Sequence, residues 1–371
     1  GILLLKDGRP MNWILTGGGD LSLINPHEIK RVEIIKGPTS SLYGANGLGG
    51  AINIITKDHP TKPEITAKTR IGYPLIQDYF LRTTLPYKWS SVSINLNRLS
   101  SEGLRSNSDY LNHNVKMDLG YKKGEFDVFS SFGYELRSLG LPGPLPPEDS
   151  LPIYGDSTAY SLFDNEKDKI LLCDITMKIR PAVNNPVELK LFGDRRDIQF
   201  HTQYPGFVGD TIVEDYNWLV HTLGFNILVT HEFNHNRITF GFDGRYDSLN
   251  ANKDSNHPGD TTWSPASKTI GAWLDNDLKV VKLFTINSSL RFDRNQTYGN
   301  FLSPQLGLIL SFEPSLRIKS SAGHAFRAPT FNDLYLPLSG NKDLKPEYGN
   351  AYELRFEYFP FSNLFTFLTF Y

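Results

Sequence analysis

The chain has 371 residues, with 38 Lys and Arg against 40 Asp and Glu, a formal charge of −2 and one cysteine, Cys173. This balance argues against nucleic acid as a partner, because phosphate binding needs a basic surplus, and a lone cysteine excludes an intramolecular disulfide framework and any Cys-based zinc or iron–sulfur cluster. No stretch approaches the roughly 20 apolar residues of a membrane helix; mean hydropathy is −0.33, yet Phe, Trp and Tyr make up 13% of the chain, more than a soluble reading accounts for.

The chain opens at Gly1 in mid-sequence, without Met or a secretory signal, and stops at Tyr371 inside a run that still reads as a strand, so a piece of a longer protein is expected. Residues 1–57 form a glycine-rich head. Asp7-Gly8 predicts a tight hairpin with Gly8 at positive φ. Residues 29–35 read as a strand stopped by Gly37-Pro38, and after a glycine-rich run residues 51–56 read as another. That run has neither the G-x-x-x-x-G-K-[ST] nor the G-x-G-x-x-G spacing and leads into a strand rather than a helix, which argues against a phosphate cradle. Its glycines fit tight turns and close backbone packing.

From about residue 64 the period is two. Phe284, Ile286, Leu290 and Phe292 alternate with Thr285, Asn287, Ser289 and Arg291, and Ile238, Phe240, Phe242 and Tyr246 with Arg237, Thr239, Asp243 and Arg245. About 15 such segments of about 10 or more residues follow one another, against a mode of 5–6 in soluble sheets and 9–11 for tilted transmembrane strands. The face opposite the apolar row carries Arg, Glu, Ser and Gly, as in a large all-β, antiparallel membrane barrel with a polar lumen. Loop length sorts by strand parity. Even-numbered strands lead into short turns (122–125, 181–186, 232–236, 280–282, 313–315, 360–362), and odd-numbered strands mostly into long excursions (139–165, 201–215, 248–264, 328–347), the pattern of a barrel with short inner turns and long outer loops. An odd, open set of strands would leave unpaired backbone groups in lipid, so the chain is expected to continue; a 22-strand barrel at about 20 residues per strand and turn would need on the order of 150 more residues.

The run Ile29-Lys30-Arg31-Val32-Glu33-Ile34-Ile35-Lys36-Gly37-Pro38, followed by Leu42-Tyr43-Gly44 and by Gly49-Gly50-Ala51-Ile52-Asn53-Ile54-Ile55-Thr56-Lys57, resembles the plug-domain signature of TonB-dependent outer-membrane receptors. Gly323-His324-Ala325-Phe326-Arg327-Ala328-Pro329-Thr330, then Asp333-Leu334-Tyr335, Gly340-Asn341-Lys342-Asp343-Leu344-Lys345-Pro346-Glu347 and Tyr352-Glu353-Leu354, resembles the barrel of the same family, with the vitamin B12 and siderophore branch nearest in style. The resemblance implies residues 1–57 as the later part of a plug and 58–371 as a barrel truncated at its C-terminus. It implies an integral protein in outer-membrane lipid of a Gram-negative bacterium, with no catalysis and no cofactor. It further implies energised import of a scarce bulky chelate, driven by TonB with ExbB and ExbD. TonB would pull on a segment that precedes Gly1 and is missing here, so the chain as given should not be energisable. A passive porin and a soluble carbohydrate-binding β-protein are the competing readings.

Several sites are expected. The resemblance implies a plug–barrel lock in which Arg31 and Lys36 face Glu353; Lys36 stands where Arg is common, which forfeits bidentate geometry. The alternative is that Glu353 pairs with a lumen charge such as Arg327. Tyr43 and Asn46 in the plug turn, and Tyr154, Tyr204 and Trp263 on the long loops, are candidate ligand contacts, with plain packing as the alternative. His231-Glu232-Phe233-Asn234-His235 matches H-E-x-x-H. It falls between two strands, where residues four apart stand about 13 Å apart, too far to share a zinc ion. Asp254 and Asp260 lie in a polar loop without EF-hand spacing. Cys173 falls in an apolar row with Leu171, Ile175, Met177 and Ile179 and is expected to face lipid.

Overall fold

Alternation of side chains governs this molecule, and in the computed structural model it runs opposite to that of a soluble sheet. The structure describes residues 1–56, 62–146, 155–182, 184–206, 209–256, 261–312, 315–337, 339–361 and 364–371. In the strand Phe284–Asn295, Leu290 and Phe292 are each 46% exposed, while their neighbours Arg291 and Asp293 are 3% and 1% exposed. Apolar side chains face outward and charged ones inward, which suits a wall with lipid outside and polar protein within.

The head is a four-stranded sheet of β1 (Leu3–Lys6), β2 (Arg9–Pro10), β3 (Ile29–Lys36) and β4 (Gly50–Thr56), in the order β2-β1-β4-β3. Asp7 and Gly8 make the β1–β2 turn at φ 49° and 79°, the two positive values such a hairpin requires. The glycine-rich run contains α1 (Ser40–Tyr43), a single helical turn that the sequence reading did not anticipate. Gly50, at φ 124°, enters β4 where a Cβ would run into the Ile35 carbonyl oxygen, so only glycine closes the β3–β4 pair.

The wall is one sixteen-stranded antiparallel sheet: β5 (Glu64–Gly72), β6 (Ile76–Tyr87), β7 (Ser90–Ser101), β8 (Tyr110–Lys123), β9 (Phe126–Gly140), β10 (Asn165–Ile179), β11 (Val187–Pro205), β12 (Thr211–Phe233), β13 (Asn236–Ser255), β14 (Thr261–Trp263), β15 (Ala266–Val281), β16 (Phe284–Asn295), β17 (Gly299–Phe312), β18 (Leu316–Arg327), β19 (Glu347–Phe361) and β20 (Leu364–Phe370). Each strand pairs with the next in chain order, except that β14 pairs only with β13, so fifteen strands follow in sequence from β5 to β20. A second short helix, α2 (Phe331–Tyr335), lies in the β18–β19 loop, its start fixed by a capping box between Thr330 and Asp333.

Connections sort by rim largely as expected, with two differences. Residues 73–75 and 296–298 are short turns on the long-loop rim. The excursions expected at 201–215 and 248–264 are mostly strand: β11, β12 and β13 run to 19, 23 and 20 residues. A span needs about 9–11, so these hairpins project beyond the apolar belt with their backbone groups still paired.

Candidate functional site: the seam between head and wall

The head lies against the polar face of the wall, and buried charges make the contact. Arg9, 3% exposed, reaches Asp174 of β10 at 3.2 Å and Asp194 of β11, and its guanidinium lies 5.0 Å from the Phe192 ring centroid. Arg196 holds Asp194 from the other side at 3.1 Å and sits over Trp13 at 5.2 Å. Lys190 donates to the Asp7 carbonyl. Arg137 of β9 gathers Asp20 at 2.7 Å, Ser22 at 2.5 Å and Asp168 at 2.5 Å. Lys116 of β8 meets Glu28 at 2.7 Å, and His27 meets Asp78 of β6 at 3.1 Å. Burial alone would raise the Glu28 carboxyl, but Lys116, Lys6 and Arg82 outweigh it and hold it below the ordinary carboxylate value. Asp20 is likewise held low against burial, by Ser22 and Arg137.

The other end of the head is pinned at α1. Ser41 Oγ donates to Gln305 of β17 at 2.5 Å, the Phe326 N–H of β18 donates to Ser40 Oγ at 3.2 Å, and the Asn46 N–H donates to the Phe326 carbonyl at 2.9 Å. Arg291 of β16 is chelated by Asp243 and Asp293. A Cβ at Gly44 would stand 3.0 Å from that guanidinium, so glycine lets the turn pass this close.

At the long-loop rim the contact becomes apolar. Leu15 of the head packs with Val220, Leu249, Ala251 and Phe331, flanked by Trp13, Trp218 and Trp263. The N–H groups of Phe331 and Asn332 donate to the carbonyls of Ile14 and Leu15 at 3.0 and 3.2 Å, stitching α2 to the head. The indole N–H groups of Trp218 and Trp263 are buried without a hydrogen-bond partner.

The expected site residues fall in different places. Arg31, 54% exposed at its side chain, pairs with Glu33 two residues along the same strand. Glu353 lines a separate groove with Lys319, Asp275 and Asp277. Among the described residues no ion pair joins Arg31 or Lys36 to Glu353, and Arg327 pairs instead with Glu347 at 2.8 Å and Asp333 at 3.4 Å. Tyr43 and Asn46 line a cavity of about 140 Å³ with Trp13, Arg291, Tyr298 and Phe331. Burial, with Glu33 and Asp275 nearby, raises the Tyr43 hydroxyl pKa and keeps it a neutral donor. Tyr204 stands at the outer end of β11, Trp263 joins the rim cluster, and Tyr154 and Asp260 lie outside the described residues. The His231–His235 run closes the β12–β13 hairpin, where His231 Nδ1 meets Asn185 rather than a second histidine. No group of three or more His, Cys, Asp or Glu among the described residues is placed to hold a metal ion. Arg9, Lys116, Arg137 and Arg291 escaped the sequence reading of the seam. A signal was present: Lys116/Asp118, Asp194/Arg196, Arg245/Asp247 and Arg291/Asp293 are opposite charges two apart on an inward row.

A family model described as TonB dependent receptor-like, beta-barrel, matches residues 74–371, and one for the TonB-dependent receptor plug domain matches residues 1–51. The chain belongs to the TonB-dependent receptor family. Its curated relatives include the vitamin B12 transporter BtuB of Vibrio cholerae, 26% identical over 378 residues that cover 96% of this chain and 56% of the relative. The counterpart from Photobacterium profundum is 25% identical over 368 residues, covering 95% and 55%. The chain thus spans about half the length of these curated relatives. Solved structures with the same fold include the copper transporter OprC (TM-score 0.80, 14% identity, 96% of this chain and 61% of that one) and the siderophore receptor PiuA from Acinetobacter baumannii (TM-score 0.76, 14% identity, 99% and 64%). The four-stranded head is the plug part and the large sheet the barrel part of this receptor fold.

Proposed function

We propose that this chain is part of an outer-membrane receptor that imports a scarce bulky chelate, a cobalamin or a ferric siderophore, by energised transport through TonB with ExbB and ExbD. Residues 1–57 supply the later part of the plug and 58–371 the barrel. The observation that carries this reading is the seam: the plug is held to the wall by buried ion pairs from β8 to β11. A passive porin needs no plug, whereas a plug held by buried charges needs work to displace it. Tyr43 and Asn46, with Tyr204 and Trp263 on the long-loop side, are the candidate ligand contacts.

The test is uptake and binding by the full-length receptor. Ferric siderophores, haem and cobalamin are titrated against the detergent-purified protein, and uptake of any ligand bound is compared in cells with and without TonB. One ligand should bind, with uptake abolished without TonB. Undiminished uptake in that background would favour a passive channel, and binding of none would redirect the reading to sugars or peptides.

A further inference from the structure

Beneath α1 the inward face of β15–β19 is built from short polar side chains. In register, Asp277, Asn287, Gly307, Ser321 and Glu353 form one row across these five strands, about 19 Å wide at ordinary strand spacing. The next row toward the long-loop rim holds Asp275, Ser289, Gln305 and Gly323. A groove lies over the two rows and continues to Lys319, one row nearer the short-turn rim. Leu42 of α1 lines it as well, and Ser41 beside Leu42 bonds Gln305 of the upper row, so α1 covers the end of the groove that faces the long-loop rim.

The two sides of the head are held differently. Its ion pairs with the wall fall on β6 and on β8–β11, where the long side chains of Lys116, Arg137, Lys190 and Arg196 are buried against it. Among the described residues no such pair reaches β15–β19. At β17 and β18 the head is held instead by neutral hydrogen bonds, Ser41 to Gln305 and Ser40 and Asn46 to Phe326, and at β16 Arg291 reaches the Leu42 carbonyl at 3.5 Å. A neutral hydrogen bond is exchanged for one to water at little net cost. Gly37 and Gly44, at φ 80° and 77°, bracket α1 and let the chain turn on either side of it without side-chain strain. Moving α1 uncovers a groove that already exists, whereas moving the head off β8–β11 must first separate buried opposite charges.

We propose that the chelate crosses the lumen along the inward face of β15–β19, through the groove beneath α1, and that α1 moves aside while the contacts at β8–β11 stay closed. The amide, hydroxyl and carboxylate groups of the two rows give the polar rim of a chelate partners to exchange as it passes, and Gly307 and Gly323 add no side chain to obstruct it. The proposal rests on the import reading, whose own failure would show separately as uptake undiminished in cells without TonB.

The test uses the full-length receptor in cells, in a C173S background, with labelled cyanocobalamin and a labelled ferric hydroxamate as probes; uptake is followed for whichever the unaltered receptor takes up. In P38C/G323C the Cβ gained at position 323 would lie 3.5 Å from that of position 38, within disulfide reach, so oxidation ties the α1 segment to β18. E28C/K116C, bridged by a short bis-maleimide, ties the other side of the head to β8. Closing the first link should abolish uptake, with recovery on reduction and with binding of the probe at the cell surface unchanged. Closing the second should leave uptake at its unlinked level. Because a pair placed at so tight a contact can impair folding, S321W is measured too, with folding checked by heat-modifiable gel mobility; it should slow uptake without weakening binding. Undiminished uptake through the closed link between positions 38 and 323, or by the folded S321W receptor, overturns the proposal. Loss of uptake on closing the link between positions 28 and 116 overturns it as well, because the plug would then have to leave β8 for the probe to pass.

Discussion

Replacing Arg9 with alanine separates a charge-held plug from one held by shape. Arg9 is 3% exposed and its guanidinium spans Asp174 and Asp194, whose side chains are 21% and 2% exposed. Removing one member of a buried pair costs about 3–5 kcal/mol, because the remaining charge is left without compensation. Arg196 still reaches Asp194 at 3.1 Å, and Asp174 has some access to water, so the lower end, about 3 kcal/mol, is expected. That is a shift of roughly 150-fold in the equilibrium between docked and released plug. The assay is plug release from the full-length receptor in urea, followed by a spin label or by protease cleavage within residues 1–56. Arg9→Ala, Asp194→Ala and the double variant complete a cycle in which the pair should couple by about 1–3 kcal/mol. Coupling below about 0.5 kcal/mol, the level of independent sites, would refute the claim that these charges hold the plug.

Three further outcomes follow from the seam. Glu28 and Asp20 titrate below their ordinary values of 4.5 and 3.8 when docked, so their contribution is complete above those values, declines below them and is gone once pH passes the lowered ones; plug release measured against pH should rise on the acid side, less steeply in Glu28→Gln. Gly50→Ala should break the β3–β4 pair, because the new Cβ meets the Ile35 carbonyl at a φ that L residues avoid; amide hydrogen exchange in β4 should rise while the barrel strands stay protected. Arg31→Ala should shift plug release by no more than about 0.5 kcal/mol, since its partner Glu33 is exposed alongside it, and a loss above about 1 kcal/mol would return Arg31 to the lock.

The strands were legible because a period of two with charges on one face admits few architectures. Phe292 beside Arg291 and Asp293 already states which side is wet. Thr202, Gln203 and Asp215 break the apolar row, so the sequence there carries a loop pattern; backbone pairing continues without an apolar face to mark it. The four residues of α1 are too few to show any helical period. The plug contacts were hidden for another reason. Lys116 and Arg137 sit on visible inward rows, but their partners Glu28 and Asp20 come from a part of the chain whose position in the lumen no local pattern encodes. Arg31, Lys36 and Glu353 are a lock only through family resemblance, and among the described residues no ion pair joins them.

The stitch between α2 and residues 14–15 has a mechanical consequence. Two backbone hydrogen bonds and the packing of Phe331 on Leu15 join an outer loop to the plug crown, and the loop is itself anchored at β18 and β19. On the proposed energised import, displacing the plug would have to break this stitch or carry the loop with it, so the resistance to displacement would be set at the outer rim as well as at the buried charges beneath it.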